Sequence, residues 1–448
     1  MTAGATEQFS SRFGFLMASI GFAVGLGNIW RFPYVTGENG GGAFVLVYLL
    51  CAFGIGVPIL MAEILVGRRG RASPPGAMRN VAVAEGCSPG WRWVGGLNLM
   101  TAFLILVTYT VVVGWVLRYL FSAVGTGFAM VDGSAAAAAY SGMLADAGGL
   151  LFWTVLSLAL AGGIVYAGVQ NGIERSVRVL MPTLFLLLIA LALYNVASDG
   201  FGAAVDYLFT PDFSKVNGAM LLAAVGQAFF SIGVAMAGMM TFGAYLPRQH
   251  SIASSVVIII AADTLVALVA GLAIFPVVFN YGLDPAGGPG LIFQTLPVAF
   301  AQMPGGHLVS VLFFVLLAVG GITSMVGLME PIVAWLDEHR GLARHRSTLG
   351  LMAAISVLSL LAILSYNLLA HWKLGSRAMG DALDYLSNQM MLPLGGLLIA
   401  LFVGWRVSRA SVREELGMRS ATLFSLWHVL IRYAAPLAVA VILITGLG

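Results

Sequence analysis

The chain has 448 residues, 60% of them hydrophobic and 9% charged, with a formal net charge of +3 and a mean hydropathy of +0.95. Soluble domains carry about 25% charged residues, so this composition excludes a soluble enzyme or binding module and points to a polytopic helical membrane protein. The basic residues are scattered over loops, which argues against a nucleic-acid surface, and Cys51 and Cys87 make no disulfide framework.

Apolar stretches predict eleven spans, at 13–36, 42–67, 95–122, 148–166, 178–197, 218–246, 252–282, 306–337, 347–368, 388–406 and 423–447. The first has no small-residue cleavage pattern behind it and is expected to be retained. Arginines concentrate after the even-numbered spans: Arg68, Arg69, Arg71, Arg79 and Arg92, then Arg175 and Arg178, Arg248, Arg340 with Arg344 and Arg346, and Arg406 with Arg409, Arg413 and Arg419. The opposite loops hold little beyond Lys215, Lys373 and Arg377. This bias predicts a cytoplasmic N-terminus in the plasma (inner) membrane and, with an odd span count, a C-terminus outside.

The first span is interrupted. Glycines at 21, 25 and 27 are followed by Asn28, Arg31 and Pro33. Each glycine costs a helix about 1 kcal/mol relative to alanine, and a break at membrane depth is tolerated only where it lines protein or a cavity. On these residues alone, a glycine-rich packing face with a proline kink fits as well as an unwound site. Glu63 in the second span is expected to accept hydrogen bonds from frayed backbone. The sixth span repeats the signal, because Gln227-Ala-Phe-Phe-Ser231 runs into the small residues Gly233 to Gly238. Spans one and six stand five apart. Two broken spans in matching positions are the sequence mark of an inverted-repeat secondary transporter with its site at the repeat interface. The expected organisation is one transmembrane domain over 1–448, with repeats at about 13–197 and 218–406 and an extra span at 423–447. Asp263 lies in an apolar run, where an acid costs about 3 kcal/mol to insert and calls for a partner or a function. The loop 284–297 is too rich in glycine and proline to span, and it fits either a hairpin over the vestibule or a plain connection.

With both breaks placed, the chain resembles the neurotransmitter:sodium symporter family, in its bacterial amino-acid branch. The resemblance rests on GFAVGLGNIWRFPYVTGENGGGAF from Gly21, Gly-Ile-Glu174-Arg followed by Met181-Pro-Thr, and Gly-Gln227-Ala-Phe-Phe-Ser. It also rests on Gly-Ile-Thr323-Ser324 and on Arg432-Tyr with Pro436. It implies a leucine-transporter-type all-α fold with five-plus-five inverted repeats, discontinuous spans one and six, and alternating access.

The resemblance further implies two sodium sites. The first takes the Ala23 carbonyl, Asn28, Ser231, Asp263 and the substrate carboxylate. The second takes the Gly21, Val24 and Gly320 carbonyls with the Thr323 and Ser324 hydroxyls. Unaided, Thr323 and Ser324 read equally well as hydroxyls bonding back to their own helix. The family pattern often has asparagine where this chain has Asp263, and chloride-dependent members carry serine where it has Ala267. Tyr48, Gln227 and Ser231 match the other chloride-site positions. The Asp263 carboxylate is therefore expected to supply the charge that chloride supplies elsewhere, with no chloride required.

The implied substrate site meets a carboxylate with the Leu26 and Gly27 amides and the Tyr109 hydroxyl. It meets an ammonium with carbonyls of Ala23, Phe230 and Ser231. Phe22, Ile105, Tyr109, Phe230, Met236, Met325 and Leu328 are expected around the side chain, with Gly233 adding room. Such a lining favours a neutral, hydrophobic L-amino acid. Arg31 and Asp384 are the implied outer gate, with Phe230 as a lid. The inner gate departs from the family pattern: Glu338 stands at the usual aspartate position, Thr6 replaces the expected arginine, and Arg12 is the nearest substitute. The rival readings are a carrier of another neutral amine or compatible solute, and a sensor that binds without transporting. An intramembrane enzyme finds no HExxH, serine–lysine or paired-aspartate arrangement in the spans.

Overall fold

The computed structural model describes residues 8–128 and 132–445, so Thr6 lies outside the described residues. Among the described residues, nine uninterrupted helices are long and apolar enough to cross a membrane: Gly42–Gly70, Pro89–Gly125, Ala147–Tyr166, Val169–Val196, Ile252–Asn280, Gly306–Arg340, Arg344–Leu364, Met379–Trp405 and Ala421–Ile444. A bent pair, Arg12–Ala23 and Gly27–Glu38, meets at 46° and forms the first span. A second interrupted pair, Gly218–Ile232 and Gly238–Ala244, forms the sixth. The described residues thus hold nine continuous helices and one bent pair of spanning length, with the second interrupted pair in the place expected for the sixth span.

The first break sits at Val24, whose backbone is extended. The helix resumes at Gly27 in a π-helical turn that runs to Arg31. At the second, Gly233 turns left-handed at φ +73°, and Ala235 and Ala237 follow at φ +60° and +63°. Left-handed alanines are strained, and such strain collects where the surroundings over-determine the chain. The surroundings here are span two. Glu63 Oε1 accepts the Ala235 N–H, as frayed backbone at this depth requires. Close approach does the rest: a Cβ on Gly67 would stand 1.8 Å from the Met240 carbonyl oxygen, so only glycine lets these helices touch.

Span eight packs along span three, and it touches the first half of span one and span five. Span seven packs on spans five and one. The unwound stretches of both broken spans, Val24 to Leu26 and Val234 to Ala237, are buried within the protein. Spans five and ten begin about nine residues earlier than hydropathy predicts, at Val169 and Met379 rather than 178 and 388. The extra turns carry Gln170, Glu174, Asp381 and Asp384, polar residues that bond within the protein or line a cavity. Short helices at Pro74–Ala84, Gly133–Ala145 and Gly200–Phe209 connect the spans. Leu291–Gln302 is an apolar helix in the loop between spans seven and eight. That loop reaches the mouth of the protein, where Trp30 Nε1 donates to the Pro289 carbonyl at 3.1 Å.

Candidate functional site

The break in span one leaves backbone groups that other helices satisfy. Gly25 N–H donates to Asn28 Oδ1 at 3.1 Å, and Leu26 N–H donates to the Tyr109 hydroxyl at 3.3 Å. Gln227 Nε2 donates to the Gly27 carbonyl at 2.8 Å and so ties the two broken spans together.

Around Asn28 lies a closed polar cluster. Its Nδ2 donates to Ser231 Oγ at 2.8 Å, to Asp263 Oδ1 at 2.7 Å and to the Asp263 carbonyl at 3.0 Å. Ser231 Oγ donates to Asp263 Oδ2 at 2.9 Å, and the Tyr48 hydroxyl reaches the same oxygen at 3.4 Å. All four side chains are 1% exposed or less. An acid so placed needs a compensating charge or donors, and here spans one, two and six supply the donors. Ala267, one turn beyond Asp263, is buried and brings no hydroxyl.

A second group of oxygens faces Gly25. A Cβ at this position would lie 2.2 Å from Ser324 Oγ, 2.9 Å from the Tyr109 hydroxyl and 3.1 Å from the Gly320 carbonyl oxygen. Three oxygens converging from spans three and eight on the unwound segment have the donor chemistry a hard alkali cation needs. Thr323 lies beside Gly21, and its hydroxyl bonds back to the Val319 and Gly320 carbonyls at 2.9 and 3.1 Å.

Between these clusters a cavity of about 20 Å³ is lined by Phe22, Ala23, Gly27, Ile105, Tyr109, Phe230, Gly233, Met236, Ser324 and Leu328. Three residues expected with them do not line it. Leu26 faces the larger cavity above, Ser231 turns to Asp263, and Met325 is buried without reaching either cavity. Gly233 lines the small cavity beside Phe22. A Cβ there would stand 2.9 Å from the Phe22 ring, and Cβ atoms on Gly238 and Gly327 would come closer still, at 2.6 and 2.2 Å, so the ring packs against three glycines.

The larger cavity, about 530 Å³, opens on the face opposite the arginine-rich loops. Ile105, Tyr109 and Phe230 line both cavities, so Phe230 stands at the boundary. Arg31 and Asp384 line the larger one, but no ion pair joins them among the described residues. The Arg31 guanidinium lies 4.6 Å from the centre of the Phe230 ring, and Asp384 Oδ1 accepts from Asn388 at 2.7 Å.

The arginine-rich face is shut. Ser10 donates to Glu174 from both N–H and hydroxyl, at 2.9 and 2.6 Å, while Ser11 and Arg178 reach Glu174 Oε1 at 3.1 and 2.6 Å. Phe9 is buried against Phe15, Phe242 and Tyr245. Arg12 bonds to Ser254 at 2.7 Å and does not meet Glu338, whose Oε2 accepts the Ser73 N–H at 2.5 Å. Sequence reasoning missed this Glu174 latch, although an acid opening a span was its visible signal. Nearby, burial works against the charge of Glu85. The Ser408 N–H and the Arg69 guanidinium outweigh it and hold its carboxyl below the usual range.

A model of the sodium:neurotransmitter symporter family matches residues 6–136 and 134–447. The chain belongs to the sodium:neurotransmitter symporter family. It is 33% identical over 444 residues to an uncharacterized sodium-dependent transporter, YhdH, of Bacillus subtilis, covering 98% of each chain. Against the sodium-dependent dopamine transporter of Bos taurus it is 27% identical, over 96% of this chain and 67% of that one. The solved structure of MhsT in complex with L-phenylalanine superposes with a TM-score of 0.91 at 37% identity, covering 99% of this chain and 100% of that chain. The symporter is thus a multi-pass sodium-dependent membrane transporter with the leucine-transporter-type fold, and its two broken spans are those the fold requires.

Proposed function

We propose that this symporter imports a neutral, hydrophobic L-amino acid together with sodium by alternating access, without chloride. The observation that carries the reading is the buried Asn28–Ser231–Asp263–Tyr48 cluster beside two broken spans. Its carboxylate is fixed in the protein, so the site holds its own negative charge.

Two sodium ions are proposed. Ala23, Asn28, Ser231 and Asp263 hold the first with the substrate carboxylate. Gly21, Val24, Gly320, Thr323 and Ser324 hold the second. Sharing the carboxylate makes each ligand complete the other's site, so each raises the other's affinity by the same factor. The apolar lining from Phe22 to Leu328 supports a hydrophobic side chain, as does the L-phenylalanine complex of a neighbour 37% identical. The lining has no acidic or basic side chain to pair with a charged substrate. The substrate would displace the Leu26 N–H from Tyr109 and draw both onto its carboxylate.

Arg31, Asp384 and Phe230 would close over the loaded site. A weak exposed pair, worth about 0–1 kcal/mol, suits a gate that must reopen. The arginine-rich face is taken as cytoplasmic and the C-terminus as outside. Binding measured against all twenty amino acids, with and without sodium, tests the reading. Sodium-dependent binding confined to neutral hydrophobic amino acids is expected. Binding of charged or small polar amino acids, or of a quaternary amine, would contradict it.

A further inference from the structure

On the arginine-rich face, away from the transport path, a crevice of about 680 Å³ lies between spans three, eight and nine. It shares no lining residue with the two cavities of the site. Its walls are apolar: Leu99, Met100 and Phe103 come from span three, Ile332 and Leu336 from span eight, and Leu351 from span nine. Its floor is kept open by two glycines. A Cβ on Gly350 would meet nothing within 4 Å, and one on Gly96 would touch only the Trp93 ring at 3.9 Å.

The mouth differs in kind. Arg92, His339 and Arg346 line it, and no carboxylate does. Glu338, beside His339 in the chain, stands 4.0 Å from it and accepts the Ser73 N–H. Neither Arg92 nor Arg346 is in a salt bridge among the described residues. The Arg92 guanidinium lies over the Trp93 ring at 5.1 Å, and Trp335 stacks on His339 at 5.4 Å. Two indoles beside two guanidiniums are the chemistry of the headgroup layer, and basic pockets between spans on the cytoplasmic side take anionic headgroups. A peptide would bring backbone groups that the apolar walls leave unsatisfied. A free phosphate would use the mouth and ignore the walls.

We propose that the crevice binds an anionic glycerophospholipid, its phosphate between Arg92 and Arg346 and one acyl chain along Leu99, Phe103 and Leu336. Assigning it to the cytoplasmic leaflet rests on the orientation proposed above; binding itself does not. Two cationic groups at the mouth correspond to a preference of about thirtyfold over a zwitterionic lipid.

The test places the full-length symporter in phosphatidylcholine nanodiscs. Tryptophan quenching by acyl-brominated phosphatidylglycerol is compared with quenching by brominated phosphatidylcholine. The expected result is half-maximal quenching at about thirtyfold lower mole fraction for phosphatidylglycerol. Arg346→Gln, at an exposed position that leaves the helices intact, should reduce the preference about fivefold. Gly350→Leu should abolish the added quenching although both arginines remain. Equal quenching by the two lipids, or a preference unchanged in both variants, would overturn the proposal. So would loss of the preference in millimolar inorganic phosphate, which would mark an ion site without an acyl chain. Sodium-dependent amino-acid binding by the same samples reports on the transport reading separately.

Discussion

Gly25 shows how one missing side chain lets three oxygens converge on the proposed ion site. Ser324 Oγ, the Tyr109 hydroxyl and the Gly320 carbonyl all fall within about 3 Å of where its Cβ would be. Gly25→Ala forces those oxygens apart, at about 1–3 kcal/mol for an overpacked position. Sodium should then bind at least several-fold more weakly, as isothermal titration would read. Gly233→Ser fails for two reasons at once, a left-handed backbone and contact with Phe22. It should lower stability by about 1–2 kcal/mol, seen as a lower melting temperature in detergent. Asp263→Asn keeps the shape of the cluster and removes its charge. Sodium-driven uptake in chloride-free buffer should fall to background, and added chloride should restore part of it once Ala267→Ser supplies a hydroxyl. Undiminished uptake by Asp263→Asn without chloride would refute the charge-substitution reading.

At the scale of elements, the breaks were readable because glycine, proline and small residues interrupt otherwise long apolar runs. Gly21 to Pro33 and Gly233 to Gly238 fall where the helices part. What hydropathy missed was polar sequence that belongs to a helix. Gln170 and Glu174 read as loop, yet they open span five because residues 8–11 satisfy them. Asp381 and Asp384 likewise hid the first turns of span ten, since they face a water-accessible cavity. Pocket membership was legible only in part. Hydrophobicity marked Phe22 and Met325 alike, but only packing decides that Phe22 packs beside Gly233 and lines the small cavity while Met325 reaches neither of the two cavities described. The Glu174 latch leads to a prediction at this scale. Hydrogen bonds to a charged group are worth about 1.5–3 kcal/mol, so Glu174→Gln should free residues 8–11. Their amide hydrogens should exchange faster while those of spans three and eight stay protected. Glu85 ties two loops on the same face. Its carboxyl is held low in the folded state, so its stabilisation is complete above the ordinary glutamate value of about 4.3 and fades only as pH falls below that. Glu85→Gln should therefore lower the melting temperature at pH 7, and the difference from the parent should shrink as pH falls below that value.

For the molecule as a whole, the described arrangement is open on one face and shut on the other. A cavity of about 530 Å³ leads down to Phe230, while Phe9, Ser10 and Ser11 seal the arginine-rich side. On the alternating-access mechanism proposed above, two events are expected: Arg31 and Asp384 draw together, and the Glu174 latch releases. Each sodium that crosses the full field contributes about 2.3 kcal/mol per 100 mV, so the two ions proposed above would sustain a large substrate gradient. The most direct test is uptake of labelled L-phenylalanine into proteoliposomes held in gluconate, with sodium outside and potassium within. Accumulation above equilibrium that collapses when the sodium gradient is abolished, and is unchanged by chloride, is the predicted result. Uptake indifferent to sodium, or absent until chloride is added, would contradict the account.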